Sequence, residues 1–169
     1  MVQASIQQFA DAAGRFCSLV QQPSAFGPRT FALRCAELLA ALYQRALALP
    51  DVELSDADGV PRGAVSHEHW QAIYRGVSES LGETDLYWLV SDPFNHGDHE
   101  PDATTLSDDL ADIYRDLMEG LVTYRGGSEQ AVSVATWNWK FGFQRHWGRH
   151  LVHALSVLHV ALSDSRLGD

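Results

Sequence analysis

Two neighbouring segments decide the fold: "SDDLADIYRDLMEGLVTYRGGS" at residues 107–128 and "FQRHWGRHLVHALSVLH" at residues 143–159. In both, apolar side chains recur every three or four residues, which is the spacing of one face of a helix. Ser107 is suited to begin the first helix, and the glycine pair near its end is suited to stop it. Ser128 can begin the second helix, which we expect to continue to about Ser163. Two long amphipathic helices joined by a short turn predict a helical bundle, and we assume that the two pack antiparallel.

The polar sides of these two helices carry opposite charge. The first helix has an acidic stripe beside its apolar face, with carboxylates three or four residues apart at Asp109, Asp112, Asp116 and Glu119. The second helix has a basic stripe, which consists of Arg145, His146, Arg149, His150 and His153. Between Gln130 and Ser163 there is neither Asp nor Glu. If the helices pack antiparallel, we expect the two stripes to meet.

The meeting of the stripes allows a structural interpretation and a binding interpretation. In the first, Asp–Arg and Asp–His pairs form a partly solvated seam that fixes helix register, and each exposed pair contributes only about 0–1 kcal/mol. In the second, a pocket between the helices binds a small anionic ligand, because interleaved arginines favour carboxylate or phosphate. The tryptophans of this helix are expected to pack in the core, and the alternative is an aromatic wall of the pocket. Trp139 falls near the polar side of its helix, so it is the tryptophan assigned to that wall. The residues assigned to this pocket are Asp109, Asp112, Asp116, Arg145, His146, Arg149, His150 and Trp139.

A metal site is a further alternative. Imidazoles and carboxylates on facing helices are the means by which bundles hold metal ions, and His146, His150 and His153 occupy adjacent turns. Together with Asp112 they would supply nitrogen and oxygen ligands. The interleaved arginines repel a divalent cation, however, so the primary interpretation assigns neither a metal nor another cofactor.

The remainder of the chain extends the bundle. "SIQQFADAAGRFCSLV" and "RTFALRCAELLAALYQRALAL" predict a helical hairpin, and Ser66 can cap a helix over "HEHWQAIYRGVSESL". "TDLYWLVSDPF" fits either a short helix that ends before its proline or a strand-like piece, of which the helix is favoured, and "NHGDHEPDATT" is predicted as an exposed loop. We therefore expect an all-α protein, a single domain over residues 1–169 with a helical bundle of about five main helices.

Composition limits the classes of function. The formal charge of −10 repels phosphate backbones, which argues against nucleic acid and anionic membranes as partners. No apolar run is long enough to span a bilayer, and the N-terminus lacks the pattern of a signal peptide. Cys17 and Cys35 lie symmetrically about the predicted hairpin turn and could approach each other, but two reduced core thiols are expected. Such cysteine usage fits a cytoplasmic protein.

The segments "LSDDLADIYRDLMEGL" and "WNWKFGFQRHWGRHLVHALSVLH", together with "YWLVSDPF", resemble a family of uncharacterised bacterial proteins catalogued as a domain of unknown function. The resemblance covers most of the chain and is clearest over residues 85–160. It implies a bacterial, cytoplasmic, mostly helical protein. It implies no activity, ligand or catalytic residue.

The absence of a recognised catalytic motif favours a non-enzymatic binding or regulatory module. Its expected partner is a protein of unknown identity or a small anionic ligand, and the chain is a candidate homodimer. The alternative is a site in the bundle core for a metal ion or small anion, in which case the protein could be a hydrolase.

Overall fold

Six α-helices account for most of the chain that the computed structural model describes, which is residues 2–54, 63–90, 94 and 100–168. The helices are α1 (Val2–Val20), α2 (Pro28–Leu47), α3 (His67–Leu81), α4 (Leu106–Tyr124), α5 (Glu129–Arg145) and α6 (Trp147–Ser163). Two strands, β1 (Leu86–Leu89) and β2 (Asp102–Thr105), form a small antiparallel sheet. Short 3-10 turns cover Pro23–Ala25 and Gly82–Thr84. The predicted all-α fold class is confirmed. Of the loop predicted at residues 95–105, residues 95–99 lie outside the described ranges, and the prediction is wrong for Asp102–Thr105, which form β2.

Helix α4 is the centre of the bundle. It contacts α1, α3, α5 and α6, and it therefore buries residues on more than one of its sides. Leu110, Ile113, Tyr114 and Leu117 are fully buried, as the spacing of apolar residues predicts. These side chains belong to one continuous core cluster to which all six helices contribute. The acidic stripe runs along the edge of this buried face.

The N-terminal hairpin of α1 and α2 packs as its sequence pattern predicts. Phe9, Phe16 and Phe31 are fully buried in the common core. Cys17 and Cys35 are also buried and are free thiols, which agrees with the expectation of reduced core cysteines. Burial raises the pKa of both thiols, because the thiolate loses its hydration there.

The prediction of one continuous helix from Ser128 to about Ser163 is wrong, because the backbone breaks at His146. This residue has φ −143° and ψ −87°, and α6 begins immediately after it. At the break, Gly148 comes so close to α5 that an added Cβ would lie 2.1 Å from the carbonyl oxygen of Phe143. Trp147 turns into the core, where it is fully buried and its Nε1–H donates to the carbonyl oxygen of Trp139. Burial of so large a side chain favours the break.

The segment predicted as a short helix after α3 contains a strand instead. Leu86 pairs with Thr105 and Leu89 with Asp102, and the side chains of β1 alternate in burial. Tyr87 points inward whereas Trp88 is exposed. The partner strand lies more than a dozen residues away, so local spacing alone did not indicate the sheet.

Two of the three predicted helix caps are confirmed. Ser66 and Ser128 each accept a hydrogen bond from a backbone N–H in the first turn of α3 and α5. The cap of α4 is Thr105, not Ser107. The hydroxyl of Ser107 is buried and donates to the carboxylate of Asp85, 2.8 Å away. None of the described helices is long and apolar enough to cross a membrane.

Candidate metal centre

The acidic stripe of α4 lies against the two histidines nearest the break between α5 and α6. Nδ1 of His146 is 2.7 Å from Oδ2 of Asp116, and Nδ1 of His150 is 2.8 Å from Oδ1 of Asp109. A carboxylate only accepts hydrogen bonds, so each Nδ1 carries the proton and donates it. This tautomer leaves Nε2 of each neutral imidazole as an electron-pair donor.

Both Nε2 atoms converge on one carboxylate oxygen. Oδ2 of Asp112 lies 3.6 Å from Nε2 of His146 and 3.5 Å from Nε2 of His150. One ligand atom from each of these three residues lies within 4.8 Å of the other two. We call Asp112, His146 and His150 the His–His–Asp cluster.

The two Nε2–Oδ2 separations fit coordination of one metal ion by all three residues better than direct hydrogen bonds between the imidazoles and Asp112. A separation of 3.5–3.6 Å is too long for a good hydrogen bond between a side-chain nitrogen and oxygen. In a tetrahedral site with metal–ligand distances near 2.0–2.2 Å, neighbouring ligand atoms lie roughly 3.3–3.6 Å apart. Both Nε2–Oδ2 distances are therefore close to those between two ligands of one ion.

Asp112 is held in place through its other oxygen. Oδ1 accepts a hydrogen bond from Nε1–H of Trp70 at 2.8 Å and forms an ion pair with Arg115 at 2.8 Å. Trp70 is on α3, so three helices and the junction at His146 together position the cluster. The side chain of Asp112 is 13% exposed, which leaves it reachable but largely shielded from water.

Asp109 orients His150 from a buried position. Its side chain is only 3% exposed, and its second oxygen accepts a hydrogen bond from the hydroxyl of Tyr87 at 2.6 Å. Burial, and then the hydrogen bond to Asp109, raise the pKa of Tyr87, so the phenol keeps its proton and acts as the donor. The small sheet thus contributes to the site through β1.

The groups in direct contact with the cluster carry a net negative charge. Three carboxylates contact the imidazoles, and one guanidinium contacts Asp112. These contacts favour a cation at the cluster, whereas Arg145 and Arg149, which border a neighbouring cavity, oppose one. The hydrogen bond to Asp116 raises the pKa of His146 and outweighs burial, which lowers it. Without a cation, this histidine therefore carries a proton more readily than an ordinary one.

The remaining residues assigned from the sequence divide into two groups. Arg145, Arg149 and His153 do not belong to the cluster but line a neighbouring cavity of about 210 Å³. Burial lowers the pKa of His153, which favours its neutral form. Trp139, the tryptophan assigned to a ligand-facing wall as the alternative to core packing, is fully buried and donates to the carbonyl oxygen of Leu117 at 3.1 Å. It belongs to the core.

Three residues of the site were not identified from the sequence: Trp70, Tyr87 and Arg115. All four residues of "LYWL" are apolar, so the sequence has no polar–apolar alternation that places Tyr87 inward, and the alternation in burial is a property of the folded strand. Nothing local marks Trp70, because its hydrogen bond to Asp112 joins residues 42 positions apart.

Comparison with known proteins places the chain in a family. The sequence model of a family described as "Domain of unknown function (DUF5063)" matches residues 1–164. The crystal structure of protein BF1032 from Bacteroides fragilis, a structural genomics target, is similar with a TM-score of 0.79 and 24% identity. The similarity covers 93% of this chain and 91% of that chain and reflects a shared fold. No curated protein matches the sequence. The chain therefore belongs to the DUF5063 family, a domain of unknown function.

Proposed function

We propose that this protein binds one divalent metal ion through Nε2 of His146, Nε2 of His150 and Oδ2 of Asp112. The observation that carries the proposal is the convergence of both Nε2 atoms on Oδ2 at 3.5–3.6 Å. The hydrogen bonds of Asp116 and Asp109 to the two Nδ1 atoms support it further. A metal-binding histidine usually donates its other ring N–H to a carboxylate or carbonyl, which fixes the tautomer and makes the ligand more basic.

The ligand set indicates which ions suit the site. Two imidazoles and one carboxylate favour zinc or ferrous iron over calcium or magnesium, which prefer oxygen ligands. Three protein ligands are the number found in catalytic zinc sites, which leave a position open for water. Zinc lowers the pKa of such a water to about 7 and so supplies hydroxide at neutral pH. The reaction class that we propose is therefore metal-assisted hydrolysis.

The competing interpretation is the structural seam of a non-enzymatic binding or regulatory module, which the sequence alone favours. Two features support it: direct hydrogen bonds join each histidine to a carboxylate, and the side chain of His146 is 42% exposed. Contacts of this kind stabilise a bundle without any ion. A seam does not require one donor atom from each of these three residues to lie close to the other two, however, and a metal site does.

The deciding experiment is zinc titration by calorimetry of protein treated with chelator and then desalted. We expect one zinc ion per wild-type chain. Asp112→Asn and His150→Ala should each weaken binding at least about 10-fold, since the first removes the negative charge of one ligand and the second removes an imidazole ligand. Asp11→Asn and His159→Gln change exposed residues elsewhere and should bind as the wild type does. Equal binding by wild type and Asp112→Asn, with both folded by circular dichroism, would favour the seam.

We further propose a cytoplasmic location, supported by two buried free thiols. Three expectations from the sequence stay predictions: that the chain is a single domain, that it binds neither nucleic acid nor membranes, and that it forms a homodimer.

A further inference from the structure

A cavity beside the His–His–Asp cluster is lined by two arginines. It measures about 210 Å³ and is lined in part by Thr104, Arg145, Arg149, His153 and the two imidazoles of the cluster. A molecule in this cavity would therefore lie against residues of the proposed metal site and against both arginines. A role for this cavity in catalysis rests on the proposed function, because the hydrolysis requires the metal ion.

The local charge differs from that of the whole protein. The chain has a net charge of −10, yet two arginines border this small cavity. Arginine stays protonated at all ordinary pH values, and its planar fork matches the oxygens of phosphate or carboxylate. Helix α6 begins at Trp147 and has no acidic residue in its first turn, so its positive end adds to the favourable field.

One carboxylate also borders the cavity, and its surroundings limit its repulsion of an anion. Asp109 accepts hydrogen bonds on both oxygens, from Tyr87 and from His150. These donors stabilise its negative charge, and its side chain is 3% exposed. The arginines are both exposed, so a ligand that enters from solvent meets the cations first.

We propose that this cavity binds the phosphate group of a small phosphorylated ligand, with Arg145 and Arg149 as the anion-binding residues. The volume favours a small anionic group, since pockets for drug-sized molecules measure roughly 300–1,000 Å³. Phosphate is favoured over carboxylate because it carries more charge and offers oxygens to both guanidinium groups at once. The proposed hydrolysis would then act on a phosphate ester at the neighbouring cluster.

The experiment is calorimetric titration with inorganic phosphate, on zinc-loaded protein freed of excess zinc and on chelator-treated protein. We expect wild type to bind phosphate in the zinc-loaded form, and the double variant Arg145→Gln/Arg149→Gln to bind at least 10-fold more weakly. Arg75→Gln, which changes an exposed arginine on α3, is the matched control and should bind as wild type does. All three proteins should retain the same zinc content, because neither arginine belongs to the cluster.

Several results would overturn the inference. The first is phosphate binding by the double variant that is as strong as that of wild type. The second is no phosphate binding by zinc-loaded wild type. The third is acetate that competes for the site as strongly as phosphate binds, which would indicate a carboxylate site. The two proposals can fail separately. Zinc binding without phosphate binding removes only the phosphate site. Arginine-dependent phosphate binding by a protein that takes up no zinc retains the phosphate site and removes the metal centre.

Discussion

The hydroxyl of Tyr87 donates a 2.6 Å hydrogen bond to the buried carboxylate of Asp109, and this contact joins the β-sheet to the His–His–Asp cluster. Asp109 in turn holds Nδ1 of His150. The orientation of a proposed metal ligand on α6 therefore depends on a residue of β1, two contacts away.

Tyr87→Phe should weaken zinc binding about 10-fold without unfolding the protein. The substitution leaves one oxygen of Asp109 without its donor, and changes in such supporting residues typically cost 10–100-fold in metal affinity. Zinc titration of chelator-treated protein measures the effect. Tyr43→Phe, at a partly exposed tyrosine of α2, is the control. Unchanged affinity in Tyr87→Phe would mean that this hydrogen bond does not orient the site.

Gly148→Ala should destabilise the protein by about 1–3 kcal/mol, the range typical of overpacking. Its Cβ would lie 2.1 Å from the carbonyl oxygen of Phe143, and backbone on both sides of the junction would have to move. Urea denaturation provides the measurement.

Gly14→Ala is the matched control, because a Cβ there meets nothing within 4 Å in the interior of α1. It should stabilise the protein by about 0.5–1 kcal/mol through helix propensity. Equal stability of the two variants would contradict the close packing at the junction.

In metal-free protein, the contact of His146 with Asp116 should stabilise the fold more at acid than at alkaline pH. The pKa of His146 is raised in the folded state, mainly by its hydrogen bond to Asp116. Its contribution is thus fully present below the unfolded pKa of about 6.5 and is lost as pH rises through the higher folded value. Because the side chain is 42% exposed, we expect less than about 1 kcal/mol.

The measurement is the difference in unfolding free energy between wild type and His146→Gln, in chelator, from acid to alkaline pH. The difference should shrink as pH rises. His159→Gln, at an exposed histidine of α6, is the control for loss of an imidazole. A difference that grows with pH would mean that the neutral form of His146 is the stabilising one.

Cys17 and Cys35 should react very slowly with a thiol reagent such as dithionitrobenzoate while the protein is folded. Burial raises the pKa of both thiols, so little thiolate forms near neutral pH, and both sulfurs are shielded from solvent. Two thiols should react in denaturant. Rapid labelling of native protein would indicate that α1 and α2 open readily.

The sequence was sufficient to predict the two stripes, because each depends on spacing within one helix. Asp109, Asp112 and Asp116 lie on one face of α4 whatever packs against it. Their approach to His146 and His150 depended on one assumption, an antiparallel pairing, and the structure has that geometry. What could not be predicted is how the two imidazoles share a single oxygen of Asp112, because Trp70 and Arg115 fix that carboxylate from outside the stripes.

The error at Trp139 has a specific physical cause. Its expected position came from a helical wheel drawn through an unbroken helix, which placed it near the side of Arg145 and His146. The break at His146 changes the direction of the chain, so faces of α5 and α6 do not share one wheel. The break depends on contacts of Trp147 and Gly148 with α5, and hydrophobic periodicity carries no information about them.

The break between α5 and α6 at His146 has a consequence for insertions and deletions in the sequence. One residue of helix corresponds to a rotation of about 100°, so inserting or deleting a residue between His146 and His150 would turn the second imidazole away from Asp109 and Asp112. A substitution in the same stretch alters one side chain, whereas a change in length misaligns everything that follows in α6. The spacing across this junction is therefore a stricter requirement for the site than the identity of most residues around it.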